Sequence, residues 1–148
     1  MLSAVHTVTS LPFAIYLGNI PAILIAAFLW HFLADSILHW NIDPNKPDSY
    51  PYFFVSLDVI GGLVVAYFLL GPAMFTPRFL AAIIGGNLPD VIHTVWYLLP
   101  PNKRQHWFGW AKWWFDFHHR VQNETKNILA GLATQALAVI TAIYLILK

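Results

Sequence analysis

Four stretches of this chain are apolar over about the 20 residues that a helix needs to cross a membrane. They cover residues 21–40, 53–70, 77–99 and 127–147. Residues 2–18 form a further apolar stretch, but it is short and Pro12 interrupts it, which favours an interfacial or partly inserted helix. The pattern predicts an all-α integral membrane protein: a compact bundle of about four transmembrane helices with a short N-terminal helix.

Two of the connections between these stretches have distinctive compositions. Residues 41–51 (NIDPNKPDSYP) are rich in turn-forming residues. The connection 100–126 is long and contains Trp107, Trp110, Trp113 and Trp114. Because tryptophan is enriched at the depth of the lipid headgroups, we predict a Trp-rich interfacial helix here.

The composition agrees with a membrane protein and excludes several other classes. Of the 148 residues, 58% are hydrophobic and 10% are charged, whereas soluble domains carry about 25% charged residues. The length fits a single domain, 1–148. The net charge of +1 offers no basic surface for nucleic acid, and the absence of cysteine excludes disulfides and thiolate metal sites.

Ionisable side chains interrupt the apolar stretches at similar depths. With four spans, connections 41–51 and 100–126 lie on the same side of the membrane, and the ionisable groups all lie towards that side. They are His31, Asp35, His39, Asp58, Asp90, His93, His118 and His119. Scattered polar residues would have no reason to agree in depth, so we predict that these groups form one site.

The spacing of these residues supports one site. His31, Asp35 and His39 are four residues apart, which places them on one face of a helix. Asp90 and His93 are three residues apart and also share a face. Because a charged side chain facing lipid costs several kcal/mol, such residues normally face the interior of the bundle or a cavity.

Taken singly, each of these residues has a structural explanation. Asp58 or Asp90 can cap a helix, and Asp35 and His39 can reach the membrane surface from a helix end. Histidines can also donate to carbonyl groups, and we assign His6 to the polar interface.

Taken together, the carboxylates and imidazoles have no matching lysines within the spans, so a bound cation is the better explanation. We predict one or two divalent ions, Zn or Mn first and Fe as a possibility. The predicted ligands are His31, Asp35, Asp90, His93, His118 and His119.

The basic residues predict the orientation of the spans. On the side of the ionisable groups the connections carry Lys46, Lys103, Arg104, Lys112, Arg120 and Lys126. The opposite side holds Arg78 and Lys148. Because cytoplasmic connections carry the excess of Lys and Arg, we expect the site to face the cytoplasm.

Two glycine pairs indicate close helix packing. Gly61-Gly62 and Gly85-Gly86 lie in the second and third apolar stretches. Small residues let helix backbones approach closely in membranes, so we expect these two stretches to contact each other and to bring Asp58 towards Asp90.

Two short motifs resemble a known family. GGNLPDVIH (Gly85 to His93) and FHHR (Phe117 to Arg120) are similar to motifs of the predicted membrane-bound metal-dependent hydrolases, small inner-membrane proteins of bacteria and archaea. Ile92 stands where that family often has a second Asp, and the Gly and His that follow the His-Arg pair in the family are missing after Arg120. The resemblance implies metal binding and hydrolysis.

The first hypothesis is therefore a membrane-embedded hydrolase that acts on a lipid or lipid-linked phosphate by means of metal-activated water. Asp58 or His39 would orient a ligand or act as the general base. Arg120 would bind a phosphate.

Two alternatives remain open. One is a di-iron oxidase of the desaturase or hydroxylase type, which needs about eight histidines where this chain has seven. The other is a non-enzymatic metal-binding, transport or structural membrane protein. The sequence leaves the substrate, the oligomeric state and the inward-facing member of the His118-His119 pair undetermined.

Overall fold

A computed structural model of the chain describes residues 1–42, 51–98 and 108–148. These residues form helices and no strand. The helices are α1 (Ser3–Tyr16), α2 (Ile20–Ser36), α3 (Pro51–Leu70), α4 (Pro77–Leu98), α5 (Phe108–Val121) and α6 (Ile128–Leu147), with a 3-10 helix, Gly71–Phe75, between α3 and α4. The prediction of an all-α protein is confirmed for this part of the chain.

Parts of both predicted connections lie outside the described residues, including Lys46, Lys103, Arg104, His106 and Trp107.

Local side-chain chemistry explains where two of the helices begin. Asn19 caps α2 by accepting a hydrogen bond from the amide of Ala22 at 2.9 Å, and Pro21 lies in the first turn, where its missing N–H is harmless. Asn127 caps α6 in the same way through the amide of Ala130 at 3.2 Å. Both helices therefore begin within one residue of the predicted positions, whereas α2 ends at Ser36 and not at residue 40.

Helix α1 lies at the centre of the bundle, which differs from the prediction of an interfacial or partly inserted helix. It packs against α2, α3, α4 and α6, and residues 5–12 are all buried. Two of its hydroxyl groups are satisfied within the helix, since Thr9 donates to the Val5 carbonyl and Ser10 to the His6 carbonyl. Small side chains and internal hydrogen bonds allow this helix to be surrounded by others.

The glycine pairs fit the helices around α1. A Cβ added at Gly62 would lie 2.6 Å from the Ala4 Cα, and one added at Gly86 would overlap the Ser10 side chain. A Cβ at Gly85 would lie 2.6 Å from the Leu24 carbonyl oxygen of α2. The expectation that the glycines join α3 directly to α4 is therefore wrong, because α1 packs against both helices at these positions.

Two helical segments, rather than about four, are long and apolar enough to cross a membrane within the described residues: Phe53–Phe75 and Ile128–Leu147. Helix α2 has 17 residues, fewer than the roughly 20 that a span needs. Helix α4 has 22 residues, but Asp90, His93 and Arg78 make it more polar. The prediction of about four spans is therefore too high by this criterion, with 53–70 and 127–147 the two that meet it.

The two candidate spans expose much of their apolar surface. Phe68 of α3 is 84% exposed and Leu129 of α6 is 81% exposed. Contiguous apolar surface of this kind marks a membrane or interaction surface in folded proteins. The helices that carry the ionisable groups pack against one another on the inside, and the strongest packing is that of α2 on α4.

The packing of α1 on α3 can be tested with two neighbouring glycines. Gly62→Ala forces its Cβ against the backbone of Ala4 and should lower the free energy of unfolding by about 1–3 kcal/mol. Gly61→Ala should be neutral or stabilising by up to about 1 kcal/mol, because nothing lies within 4 Å of its added Cβ. Unfolding of the detergent-purified variants measures both values, and equal values for the two would contradict this packing.

Candidate metal centre

Helix α2 supplies the first two members of the group. His31 and Asp35 are one turn apart and both side chains are fully buried, so they point to the same side of the helix, towards the bundle interior. The Nε2 atom of His31 lies 3.3 Å from Oδ2 of Asp35. The predicted shared face is therefore present for His31 and Asp35, but the prediction is wrong for His39, because α2 ends at Ser36.

Two further helices complete the group. His118 of α5 brings its Nε2 atom to 3.2 Å from both Asp35 Oδ2 and His31 Nε2. Asp90 of α4 places Oδ1 at 3.6 Å from His31 Nε2 and 3.9 Å from His118 Nε2. One ligand atom from each of these four residues lies within 4.8 Å of all the others. We call these four residues the metal group.

The backbone determines which nitrogen of His31 faces the group. Its Nδ1 atom lies 2.8 Å from the carbonyl oxygen of Gly86, and since a carbonyl accepts, Nδ1 carries the hydrogen. When this ring is neutral, its Nε2 atom therefore presents a lone pair to the metal group. Metal-binding histidines typically donate their other N–H to a carbonyl in this way, so the donor set fits a metal ion.

The other carboxylate oxygen of Asp35 faces a second set of nitrogens. Its Oδ1 atom lies 2.5 Å from the Met1 nitrogen, 3.2 Å from His6 Nε2 and 3.9 Å from His39 Nε2. The His6 ring also stacks on the His31 ring, with centroids 3.9 Å apart. Asp35 thus contacts both sets, each through a different carboxylate oxygen, and His31 contacts His6 through its ring.

His39 keeps an unpartnered nitrogen beside the metal group. Its Nδ1 atom donates to the Ile37 carbonyl at 2.8 Å, which leaves a lone pair on Nε2. Among the described residues this buried atom has no hydrogen-bond partner. Burial, followed by the positive charge of the Met1 nitrogen, lowers the pKa of His39 below its ordinary value, so the ring is neutral near pH 7.

The expected position of His6 at the polar interface is wrong, because the structure places this residue beside Asp35 inside the site. It is fully buried, and burial together with the neighbouring His31 ring lowers its pKa to about 4. The sequence contains an indication that His6 is buried. This residue lies among Ala4, Thr7 and Ser10, and a helix of such small residues suits close packing on several sides.

A short backbone ladder connects the segment after α2 with the segment before α6. The amide of Asn123 donates to the Asp35 carbonyl at 2.9 Å, the amide of His39 to the Asn123 carbonyl at 3.1 Å and the amide of Thr125 to the His39 carbonyl at 2.8 Å. Residues His39 and Glu124 form an isolated parallel bridge. These bonds hold His39 beside Asp35 although α2 ends at Ser36.

The remaining predicted residues lie around or outside the metal group. His93 is half-buried with its Nδ1 atom 3.1 Å from Nδ1 of His118, so it contacts a member of the group. His119 and Arg120 are exposed, and the His119 ring reaches the His93 ring at 5.8 Å between centroids. His118 is therefore the inward-facing member of the pair.

Asp58 lies at the N-terminus of α1. Its carboxylate accepts hydrogen bonds from the amide of Ser3 at 2.6 Å and from the amide of Ala4 at 3.3 Å. These amides belong to the first turn of α1, and amides in the first turn of a helix have no acceptor within the helix. Asp58 thus acts as a cap supplied by a neighbouring helix.

Removal of this cap should reduce stability. Asp58→Ala leaves two amides of α1 without their acceptor, and we expect a loss of about 0.5–2 kcal/mol in the free energy of unfolding. Asp116→Ala is the matched control, because that aspartate is exposed on α5 and should change stability by less than about 0.5 kcal/mol. Denaturant unfolding in detergent gives both values, and an unchanged Asp58→Ala variant would disprove the capping role.

No protein-family model matches this chain, and neither does any curated protein or solved structure. What the metal group does must therefore be inferred from its own residues.

Proposed function

We propose that this chain is a membrane-embedded, metal-dependent hydrolase of a lipid or lipid-linked phosphate, with a divalent ion bound by His31, Asp35, Asp90 and His118. The supporting observation is that ligand atoms from three helices lie within 4.8 Å of one another. Two imidazoles and two carboxylates are a donor set that suits Zn or Mn.

The charges around the metal group support a bound cation. Asp35 is fully buried and the Asp90 side chain is 28% exposed, yet no lysine or arginine of the described ranges forms an ion pair with either. The nitrogen of Met1 lies at Oδ1 of Asp35 and supplies one positive charge for the two carboxylates, and burying the second without a countercharge is costly. A divalent ion would compensate both.

When bound, such an ion polarises a phosphoryl or carbonyl oxygen of the substrate and lowers the pKa of a water molecule. The residues around the metal group have separate tasks. The Gly86 carbonyl orients the ring of His31, and the contact with His93 orients the ring of His118. The unpartnered Nε2 atom of His39 is suited to accept a proton from water as a general base.

The surface of α5 supports a substrate at the membrane. On its inner side α5 carries His118, while Trp113 on its outer side is 67% exposed and stacks on Phe117. Exposed tryptophan suits the headgroup layer. Arg120, exposed in the last turn, is available to bind a phosphate.

Basic residues support a site facing the cytoplasm. Lys112 and Arg120 on α5, and Lys126 after it, belong to the segment that supplies His118. Arg78 lies at the opposite end of α4 from Asp90, about 18 Å along the helix axis at the usual rise per residue. This imbalance agrees with the rule that cytoplasmic segments carry the positive charge.

Elemental analysis of the detergent-purified protein tests metal binding. The wild type should contain a stoichiometric divalent metal, and Asp90→Ala and His118→Ala should lose it because each removes a ligand. His119→Ala is the matched control, since the neighbouring imidazole is exposed, and it should retain the metal.

The outcomes separate the alternatives. Zn or Mn would support hydrolysis, whereas Fe would favour the oxidase hypothesis. A folded wild type that contains no metal and takes up none when it is added would refute the proposal. The histidines and aspartates would then form a hydrogen-bonded network with a purely structural role.

The role of His39 is tested by turnover. In vesicles that contain phosphatidic acid, phosphatidylglycerol and an isoprenyl diphosphate, His39→Ala should lower the rate of hydrolysis by roughly 10²–10⁴-fold, as expected for loss of a general base. Its metal content should stay at the wild-type level. Mass spectrometry of the products measures the rate, and full activity of His39→Ala would exclude this role.

A further inference from the structure

A groove of about 640 Å³ runs between α1, α2 and α6, outside the metal group. Its walls include Phe13 of α1, Trp30 of α2 and Leu137 of α6. This volume lies within the range of small-molecule sites in proteins. None of the residues of the metal group lines it, so the groove is a separate feature of the bundle.

The hydroxyl and indole groups that line the groove have no hydrogen left to donate to a ligand. Tyr16 donates to the Leu145 carbonyl at 2.8 Å, and Thr141 donates to the Leu137 carbonyl at 2.8 Å. Thr9 donates to the Val5 carbonyl and accepts from the indole N–H of Trp30 at 2.9 Å. A ligand group that must accept hydrogen bonds, such as a phosphate or a carboxylate, would lose its hydrogen bonds with water here and gain none, so the walls suit hydrocarbon.

The hydroxyl group of Thr134 is also hydrogen-bonded to carbonyl groups of the protein. Its hydroxyl lies 2.9 Å from the Gly131 carbonyl and also contacts the Leu38 carbonyl. This threonine therefore adds no free donor at the end of the groove that lies near residues 37–39.

The groove is open towards the apolar surface of a candidate membrane span. Leu137 is 66% exposed and Tyr16 is 57% exposed, and both line the groove. Leu137 belongs to α6, which is long and apolar enough to cross a membrane. A groove that opens on the surface of a membrane span is bordered by lipid chains, so its occupant should come from the bilayer.

The length of the groove fits the chain of one lipid leaflet. Its wall on α6 extends from Thr134 to Leu145, which is about 16 Å at the usual helical rise per residue. Half of a hydrocarbon core about 30 Å thick is close to this length.

One end of the groove lies beside the predicted reaction centre. Thr9 is one turn from His6 on α1, Trp30 precedes His31 on α2, and the carbonyl of Ile37 accepts the hydrogen bond from His39. A hydrocarbon chain lying in the groove would bring the polar end of the same molecule towards His39.

We infer that this groove binds one hydrocarbon chain of a membrane lipid and that this lipid belongs to the substrate class of the enzyme. The second part rests on the proposed function. The first part concerns only α1, α2 and α6 and does not depend on a metal ion.

Two alanines of α6 provide a matched test. Ala138 lines the groove, so Ala138→Trp fills it, whereas Ala136 is exposed and does not line it. After purification in detergent, native mass spectrometry measures the lipid that stays bound to each protein. Wild type and Ala136→Trp should retain one lipid per chain, and Ala138→Trp should show occupancy lower by at least about tenfold, the loss expected from displacing only two methylene groups.

The outcomes have distinct meanings. Equal retention by Ala138→Trp and wild type, or a wild type without bound lipid, would overturn the inference. So would a groove filled by a second copy of the chain, seen as a dimer that Ala138→Trp dissociates. Lipid retained by a metal-free Asp90→Ala variant would support the groove independently, and a metal-free wild type with bound lipid would refute only the hydrolase.

A second measurement applies if Ala138→Trp does not fold. Lipids with brominated chains quench nearby tryptophan fluorescence, and Trp30 lines the groove. The wild type should lose more fluorescence to brominated lipid than Trp30→Phe does, because the other tryptophans are common to both proteins. Equal quenching of the two proteins would overturn the inference.

Discussion

The burial of a single carboxylate determines much of this structure. Asp35 has no exposed surface, and such a group is stable inside a protein only when several donors or cations surround it. Nitrogens of Met1, His6, His31 and His118 lie within 3.3 Å of its two oxygens. Its backbone carbonyl also accepts a hydrogen bond from Asn123. Helices α1, α2 and α5 and the segment before α6 are thus all tied to one residue, and a change in the position of any of them would leave a buried charge without its partners.

The part of the site that follows from helical periodicity was predictable from the sequence. Spacings of four and three residues brought His31 and Asp35 to one face of α2 and kept Asp90 and His93 together on α4. His39 shows the limit of this reasoning, because α2 ends at Ser36 and a helical position could not bring His39 to Asp35. It reaches Asp35 because its backbone pairs with Asn123 and Thr125 across the ladder, a long-range interaction that no local pattern encodes.

The sequence contains a pattern that distinguishes the inward-facing His118 from His119, although the predictions leave that choice open. Adjacent residues on a helix point about 100° apart, so only one of the two can face inward. One face of α5 contacts the ring of Phe32 on α2 through Trp114, Phe117 and His118. These residues occupy positions i, i+3 and i+4, which lie on the same side of a helix. Lys112, Asp116 and His119 share the opposite, exposed face. The position of α1 was harder to predict, because its burial depends on gaps at Gly62 and Gly86 that belong to other helices.

The distribution of polarity among the helices explains why, in the described part of the chain, two of them resemble ordinary spans and the others do not. In a bilayer every polar group must find its partner within the protein, so helices that carry ionisable residues have to contact one another before they contact lipid. Helices α2 and α4, which carry His31, Asp35 and Asp90, pack together, while α6 exposes apolar side chains on its outer side. Helix α1 lies between these two environments. His6 on one part of its surface reaches Asp35, and Phe13 lines an apolar groove bordered by α6. Under the proposed function, a lipid bound in the groove with its polar end near Asp35 would be positioned at both ends by the same central helix, so its reacting group would be placed by rigid packing and not by a loop.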